Sequence, residues 1–255
     1  MEKIGILGCG WLGFTLAKKL IEKSYCVNGT SRNEDKKNIF ESEKIAHFKF
    51  QLGDEISTDF INDVSILIIA FPINKSFSVE SLSSLIHSIE QHNPPNLSII
   101  FTSSISVYLD EQGEINENTG KINPNSPNYI FEQELLAKFP ERVAIIRLGG
   151  LIGEDRHPIY SLAGRTGIAN ENAPVNLVHR NDAIEMILEI IERKKFGHVY
   201  NCVYPDHPTK EKYYTKKAIE NSLTPPKFEF SNKDNKLIQC QNAKILLNFN
   251  FSNPI

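Results

Sequence analysis

Apolar residues along the chain gather into short runs with few polar interruptions. The runs Lys3–Leu7, Cys26–Gly29, Ala46–Phe50, Val64–Ala70, Leu97–Thr102, Val143–Leu148 and Val199–Val203 read as β-strands. Near-continuous apolar strands belong in a sheet covered on both faces. Between them, Leu12–Lys23, Glu80–His92, Ile130–Lys138 and Asp182–Lys194 carry apolar residues three or four apart, the spacing of a helix with one buried face. Strands alternating with helices predict an α/β fold, specifically a Rossmann-type doubly wound parallel sheet.

Two segments break the alternation. Tyr108 to Asn128 holds Gly113, Gly120, Pro124 and Pro127 among Asn and Ser residues, and reads as a long loop of the kind that often carries function. After Gly149 the pattern weakens and Pro158, Pro174, Pro205, Pro208, Pro225 and Pro226 accumulate. Residues 1–150 are therefore expected to form the sheet domain. Residues 151–255 should form a small lobe interleaved with the last strand and helices.

Composition narrows the function classes. A chain of 255 residues with 40% apolar and 23% charged residues can bury a core without stapling. The formal net charge of −3 and the lack of a dense Lys/Arg run argue against a nucleic-acid or polybasic membrane surface. Cys9, Cys26, Cys202 and Cys240 form no C-x-x-C pair, so no metal site is expected. The N-terminus is apolar but is interrupted by Gly5, Gly8, Gly10 and Gly13, and is far short of the ~20 apolar residues of a membrane span. The expected location is the cytoplasm, where isolated thiols stay reduced.

The most informative motif is Gly8-Cys9-Gly10-Trp11-Leu12-Gly13, a G-x-G-x-x-G directly after the first strand and opening the first helix. In that context the first glycine makes the tight turn, the second lets backbone approach a pyrophosphate, and the third lets helix and strand pack closely. The free amides of the helix start, from Trp11, Leu12 and Gly13, face the anion. An NAD enzyme places an acid at the end of the second strand. Here that position reads Thr30-Ser31-Arg32, whose hydroxyls and guanidinium suit an adenosine 2′-phosphate, so NADP is expected, with NAD possible. Ala70-Phe71-Pro72 closes a further strand-to-helix turn, where Phe71 and Pro72 would pack against the cofactor.

After the fifth strand run comes Phe101-Thr102-Ser103-Ser104-Ile105-Ser106-Val107-Tyr108, then the loop, then Tyr129 opening a helix. With the glycine-rich turn, this S-S-x-S-V-Y run and post-loop tyrosine resemble the extended short-chain dehydrogenase/reductase superfamily, in its epimerase/dehydratase branch. Arg147–Gly153 and Val175–Asp182 match that branch's later landmarks, so the resemblance spans most of the chain. The compact length and the Gly153–Pro158 segment are most similar to a small bacterial subgroup described as NAD-dependent epimerase/dehydratase-like. The resemblance implies that a serine and the tyrosine of Y-x-x-x-K move a proton while nicotinamide moves hydride. Residue by residue, these are Ser104 and Tyr129. The lysine's place is taken by Gln133. An ammonium helps a nearby phenol give up its proton, and a neutral amide supplies no such charge.

A tyrosine at a helix start also serves in packing, and serines commonly satisfy turn amides. In the second lobe Arg156, His157 and Asn176 are candidate contacts to a small-molecule substrate. His179 and Asp182 are better explained by the start of a helix over Ala183–Arg193, with Asn181 or Asp182 as its cap. Pro208-Thr209 reads as another helix start. The expected protein is thus an NADP-preferring oxidoreductase or epimerase/dehydratase relative of undefined substrate. The alternative is an NADP-binding sensor or regulator that lost catalysis with the lysine. A hydroxyacid or imine reductase with an all-helical second domain fits poorly, given the proline-rich remainder. By resemblance the chain would pair as a homodimer through Glu80–His92 and Ile130–Lys138.

Overall fold

Apolar strands without alternation have two faces to bury, and here they lie side by side in one sheet. The computed structural model describes residues 1–73, 78–92, 96–110, 113–231 and 235–255. Strands β1 (Lys3–Leu7), β2 (Cys26–Ser31), β3 (Ala46–Lys49), β4 (Val64–Ile69), β5 (Ser98–Ser104), β6 (Val143–Leu148) and β7 (His198–Cys202) form a seven-stranded parallel sheet. Its order is β7-β6-β5-β4-β1-β2-β3. Register is set by pairs such as Ile4 with Val27, Ile4 with Ile66, Asn28 with Ala46 and Ile66 with Ser98.

Every predicted run is a strand, but two run further than their apolar residues. β2 reaches Ser31 because Thr30 and Ser31 pair with Phe48 and Lys49. β5 reaches Ser104, with the Thr102 hydroxyl donating to the Ile69 carbonyl at 3.2 Å. A backbone ladder accepts polar residues as readily as apolar ones, so periodicity stops short of the strand end.

The main helices are α1 (Trp11–Glu22), α2 (Val79–His92), α3 (Pro127–Lys138), α4 (Arg180–Glu192) and α5 (Lys210–Glu220). α3 starts two residues before Tyr129, at Pro127, whose missing N–H costs nothing in a first turn. The cap expected of Asn181 or Asp182 falls instead to His179, whose Nδ1 accepts the Asn181 N–H at 3.2 Å. α4 accordingly begins at Arg180. Thr209 caps α5, accepting the Lys212 N–H. The expected loop from Tyr108 contains one short strand, Glu114–Ile115, and its residues 111 and 112 lie outside the described residues.

The chain divides into two compact units that interleave in sequence. The first comprises Met1–Ser104, Pro124–Ile146 and Ile187–Val199, the second Ile105–Asn123, Arg147–Met186 and Tyr200–Ile255. In the first, Leu82, Leu85, Ile86 and Ile89 of α2 and Phe131 and Leu135 of α3 bury against Ile69, Ile99 and Phe101 of the sheet. Full burial of each such side chain contributes roughly 1.5–3 kcal/mol. Phe101 and Phe131 meet edge-to-face at 5.0 Å.

The second unit has its own core of Ile152, Ile159, Val175, Leu177, Tyr213, Tyr214 and Ala218. Short parallel pairings also hold it, Gly150–Ile152 with Leu177–His179 and Glu114–Ile115 with Leu237–Ile238 among them. A buried polar network runs from Arg147 through the Tyr108 hydroxyl (2.9 Å) to Asn201 (2.8 Å) and from the Asn201 N–H to Glu117 (2.7 Å). Burial pushes the Glu117 carboxyl above its usual range, against the pull of the backbone N–H groups it accepts. Asp182 accepts from the N–H and hydroxyl of Ser252 and from the N–H and amide of Asn253, which ties down the C-terminal tail. No helix among the described residues is long and apolar enough to cross a membrane.

Candidate functional site

β1 lies between β2 and β4, so the connections out of β1 and β4 leave the sheet in opposite directions. Such a switch point leaves a crevice at the strands' carboxyl ends. Both turns that the sequence singled out lie there, Gly8–Gly13 after β1 and Ala70–Pro72 after β4.

Two glycines of the first turn have a steric reason within the protein, and the third faces open space. Gly8 has φ +97°, and a Cβ there would stand 2.9 Å from the Phe71 backbone nitrogen. At Gly13 a Cβ would stand 2.4 Å from the Gly8 carbonyl oxygen, so helix and strand approach as closely as they do only because it is glycine. At Gly10 an added Cβ meets nothing within 4 Å. The turn is held by the Gly8 N–H donating to the Thr30 hydroxyl and the Cys9 N–H to the Thr30 carbonyl, both at 2.9 Å. α1 has no side-chain cap and no acid in its first turn, so nothing there opposes an incoming anion by charge.

Gly8, Cys9, Gly10, Thr30, Ser31, Arg32, Lys36, Phe50, Gln51, Leu52, Ala70, Phe71 and Pro72 line a cleft of about 460 Å³. Of the residues expected at a cofactor, Leu12 turns its side chain into the core, which leaves the expected contact to its backbone amide, and Trp11 stands half-buried at the helix start. Thr30 is buried and occupied by the turn. Ser31 donates to the Asn33 carbonyl at 2.8 Å and lies 2.8 Å from His47 Nε2. Arg32 and Lys36 are exposed, and neither forms an ion pair among the described residues. The sequence reading missed Lys36, Phe50, Gln51 and Leu52. Lys36 carried a signal as a cation four residues past Arg32, but the others come from the end of β3, which no motif marks. Burial pushes the Cys9 thiol up to about 12, so it is an inert, neutral wall of the turn.

Ser104 ends β5 and Tyr129 sits in the first turn of α3, both in the first unit. α3 packs on β5, and Ser103 next to Ser104 donates to the fully buried Glu132 at 2.5 Å. Glu134 accepts from Ser83 on α2. The two acids beside Tyr129 are thus engaged elsewhere. Among the described residues the Tyr129 hydroxyl has no hydrogen-bond partner, and Gln133 is exposed.

The second-unit candidates have structural occupations. Asn176 donates to the Lys236 carbonyl at 2.8 Å and accepts the Ile238 N–H at 3.0 Å, using both ends of its amide. His157 Nδ1 accepts the Ile159 N–H at 3.0 Å, which leaves Nε2–H to donate to the Tyr213 oxygen at 2.8 Å. Burial, and then the Lys217 charge, push this imidazole down to about 4. Arg156 is exposed on a turn closed by paired backbone bonds to Gly153. Among the described residues no group of three or more His, Cys, Asp or Glu is placed to hold a metal ion.

No protein-family model matches the chain. Protein YeeZ of Escherichia coli strain K12 is 35% identical over 245 residues, covering 91% of this chain and 88% of YeeZ. Among solved structures, a functionally unknown conserved protein from Silicibacter pomeroyi DSS superposes with a TM-score of 0.81 at 18% identity, covering 100% of this chain and 95% of that one. A dTDP-glucose 4,6-dehydratase from Bacillus anthracis str. Ames in complex with NAD gives 0.80 at 15% identity, over 99% of this chain and 92% of that one. A UDP-glucuronic acid 4-epimerase from Bacillus cereus in complex with NAD gives 0.80 at 14%, over 100% and 93%. At these identities the likeness to the solved structures is one of fold.

Proposed function

From a chain that belongs to the family of Escherichia coli YeeZ and carries the fold of the extended short-chain dehydrogenase/reductases, we infer an enzyme that binds a nicotinamide dinucleotide, NADP in preference to NAD. It would act on a small hydroxyl- or carbonyl-bearing substrate. The observation that carries this reading is the open face of Gly10 at the start of α1, a helix without a side-chain cap or an acid in its first turn, at a sheet switch point. A pyrophosphate fits there because no protein atom lies within 4 Å of a Cβ added at Gly10 and a helix N-terminus favours an anion. The absence of an acid at the end of β2, with Arg32 and Lys36 on the cleft, supports the 2′-phosphate.

A bound nicotinamide would supply the hydride exchange. The chain's own contribution would come from Ser104, holding the substrate oxygen, and Tyr129, whose uncommitted hydroxyl passes a proton to or from it. His157 is a poor substitute donor, since both ring nitrogens already have partners. One observation favours a second reading: exposed Gln133 stands in the lysine's place, and that position supplies no ammonium to Tyr129, as expected of an NADP-binding sensor without turnover.

Calorimetric titration of NADP(H) and NAD(H), followed by NADPH consumption over a panel of carbonyl compounds, separates the two. Turnover that Tyr129→Phe abolishes supports the enzyme. Tight NADP binding with no turnover supports the sensor. Failure to bind either dinucleotide overturns both.

A further inference from the structure

The face that α3 turns to the sheet carries two polar residues that packing does not ask for. Its buried positions are Asn128, Phe131, Glu132 and Leu135, three and four apart and so on one side of the helix. Phe131 and Leu135 supply the packing, Phe131 edge-to-face on Phe101 at 5.0 Å. Glu132 sits beside them with no exposed surface, and Ser103 donates to its Oε1 at 2.5 Å. Asn128, one turn nearer the helix start, donates to the Ile73 carbonyl at 3.4 Å. Both partners stand at carboxyl ends of strands, Ser103 one residue before the end of β5 and Ile73 just past the turn after β4.

Tyr129, half-buried, and Gln133, exposed, lie on the flank of this face. The polar pair four apart that faces the sheet is Asn128 and Glu132. The ionisable side chain that α3 sends toward the sheet is therefore Glu132, one position before the residue that stands in the lysine's place.

Taking a carboxyl group out of water is unfavourable, and an apolar side chain of the same size would pack there at least as well. What an apolar residue would not give is a directional bond. The bond's location is informative. Ser103 is the neighbour of Ser104, and Glu132 stands one helical turn from Tyr129. The chain between Ser104 and Pro124 leaves the first unit for Ile105–Asn123, so no short loop holds the strand end and the helix start in register.

We propose that the Ser103–Glu132 hydrogen bond fixes the spacing of Ser104 and Tyr129, which makes Glu132 and Ser103 positioning residues of the reaction. The proposal rests on the enzymatic reading of the site. Proton transfer tolerates little error in such a spacing, since a misplacement of about 1 Å costs on the order of 10²-fold in rate.

The test uses the full chain with NADPH and three carbonyl probes, an aliphatic aldehyde, a vicinal diketone and an ortho-quinone, together with the dissociation constant for NADPH and the thermal transition. Glu132→Leu keeps the size and drops the acceptor, and Ser103→Ala drops the donor. Each should lower kcat by about 10- to 100-fold, with KM and NADPH affinity within about twofold of wild type. The double variant should fall no further than either single one, because both delete the same bond. Glu132→Gln offers an amide oxygen to Ser103 and should restore kcat to within about threefold of wild type. A packing role alone would lower the thermal transition and leave kcat of the folded protein unchanged. Unchanged kcat in both single variants, additive losses in the double variant, or a loss in Glu132→Gln as large as in Glu132→Leu overturns the proposal and leaves the enzymatic reading intact. Where Glu132→Leu does not fold, Ser103→Ala and Glu132→Gln decide by the same criteria. A wild-type chain that consumes NADPH with none of the probes overturns the enzymatic reading and this proposal with it.

Discussion

Gly10 and Gly13 stand in the same turn, yet substitution should harm one property at each and spare the other. At Gly13 an added Cβ lies 2.4 Å from the Gly8 carbonyl oxygen and 3.2 Å from its carbon. Non-bonded heavy atoms rest near 3.5 Å, so α1 must move away from β1 by about 1 Å. Helix propensity favours alanine over glycine by about 1 kcal/mol. Overpacking against immovable backbone costs roughly 1–3 kcal/mol. Gly13→Ala should therefore lose up to about 2 kcal/mol net. At Gly10 nothing lies within 4 Å of the new Cβ, and φ of −83° is open to any residue. The cost there is the weaker N-cap, under about 1 kcal/mol. A valine side chain would instead fill the space assigned to the pyrophosphate, and affinity should fall at least about 100-fold. Thermal unfolding with and without NADP reads both effects. Ligand at about 100 times the wild-type Kd adds ~2.7 kcal/mol, a shift of about 5–10 °C for a chain of this size. Gly10→Val should keep a near-normal ligand-free transition and lose that shift. Gly13→Ala should lower the ligand-free transition. A wild-type shift in Gly10→Val would refute the placement of the pyrophosphate, and an unlowered transition in Gly13→Ala would refute the close packing.

Other consequences can be measured independently. Arg32→Ala should weaken NADP by about 1.5–3 kcal/mol and NAD very little, as read by calorimetry. On any substrate that turns over, Tyr129→Phe should lower kcat by roughly 10²-fold or more, and Gln133→Lys should raise it by placing an ammonium one helical turn from the phenol. Asp182→Ala removes the acceptor of the bonds to Ser252 and Asn253 and should cost about 2–4 kcal/mol, with faster hydrogen exchange in the tail and partial recovery in Asp182→Asn. His157, pushed down to about 4, is a base whose folded value lies below its unfolded one near 6.5, so the unfolded chain binds the extra proton between them. Its stabilising contribution is therefore present above about pH 6.5 and is lost as pH falls toward 4. Denaturant unfolding across that range should show a shallower acid slope in His157→Asn.

The parts of this molecule that could be read from the chain are those whose cause is local. β4 and β6 read as strands because VSILII and VAIIRL have two faces to bury, and the end of the Gly8–Gly13 motif is legible because Gly13 answers a clash with the Gly8 carbonyl five residues away. The two- and three-residue strands of the second unit carry no such trace. Glu114–Ile115 pairs with Leu237–Ile238, and nothing in four residues encodes a partner so distant. The same distance hides the partners of polar side chains. Asn176 and His157 suggested substrate contacts, but they are occupied by Lys236, Ile238 and Tyr213. Asp182 suggested a helix cap, a role whose partners are near in sequence, while its actual partners lie 70 and 71 residues away. His47 is the converse case. Nothing around Ala46-His47-Phe48-Lys49 marks a contact, and the 2.8 Å approach of His47 to Ser31 exists because β2 and β3 pair in register. A motif reports what its own residues need, whereas the partners of a polar side chain depend on strand register that no local pattern records, so they become visible only once β2 and β3 are paired.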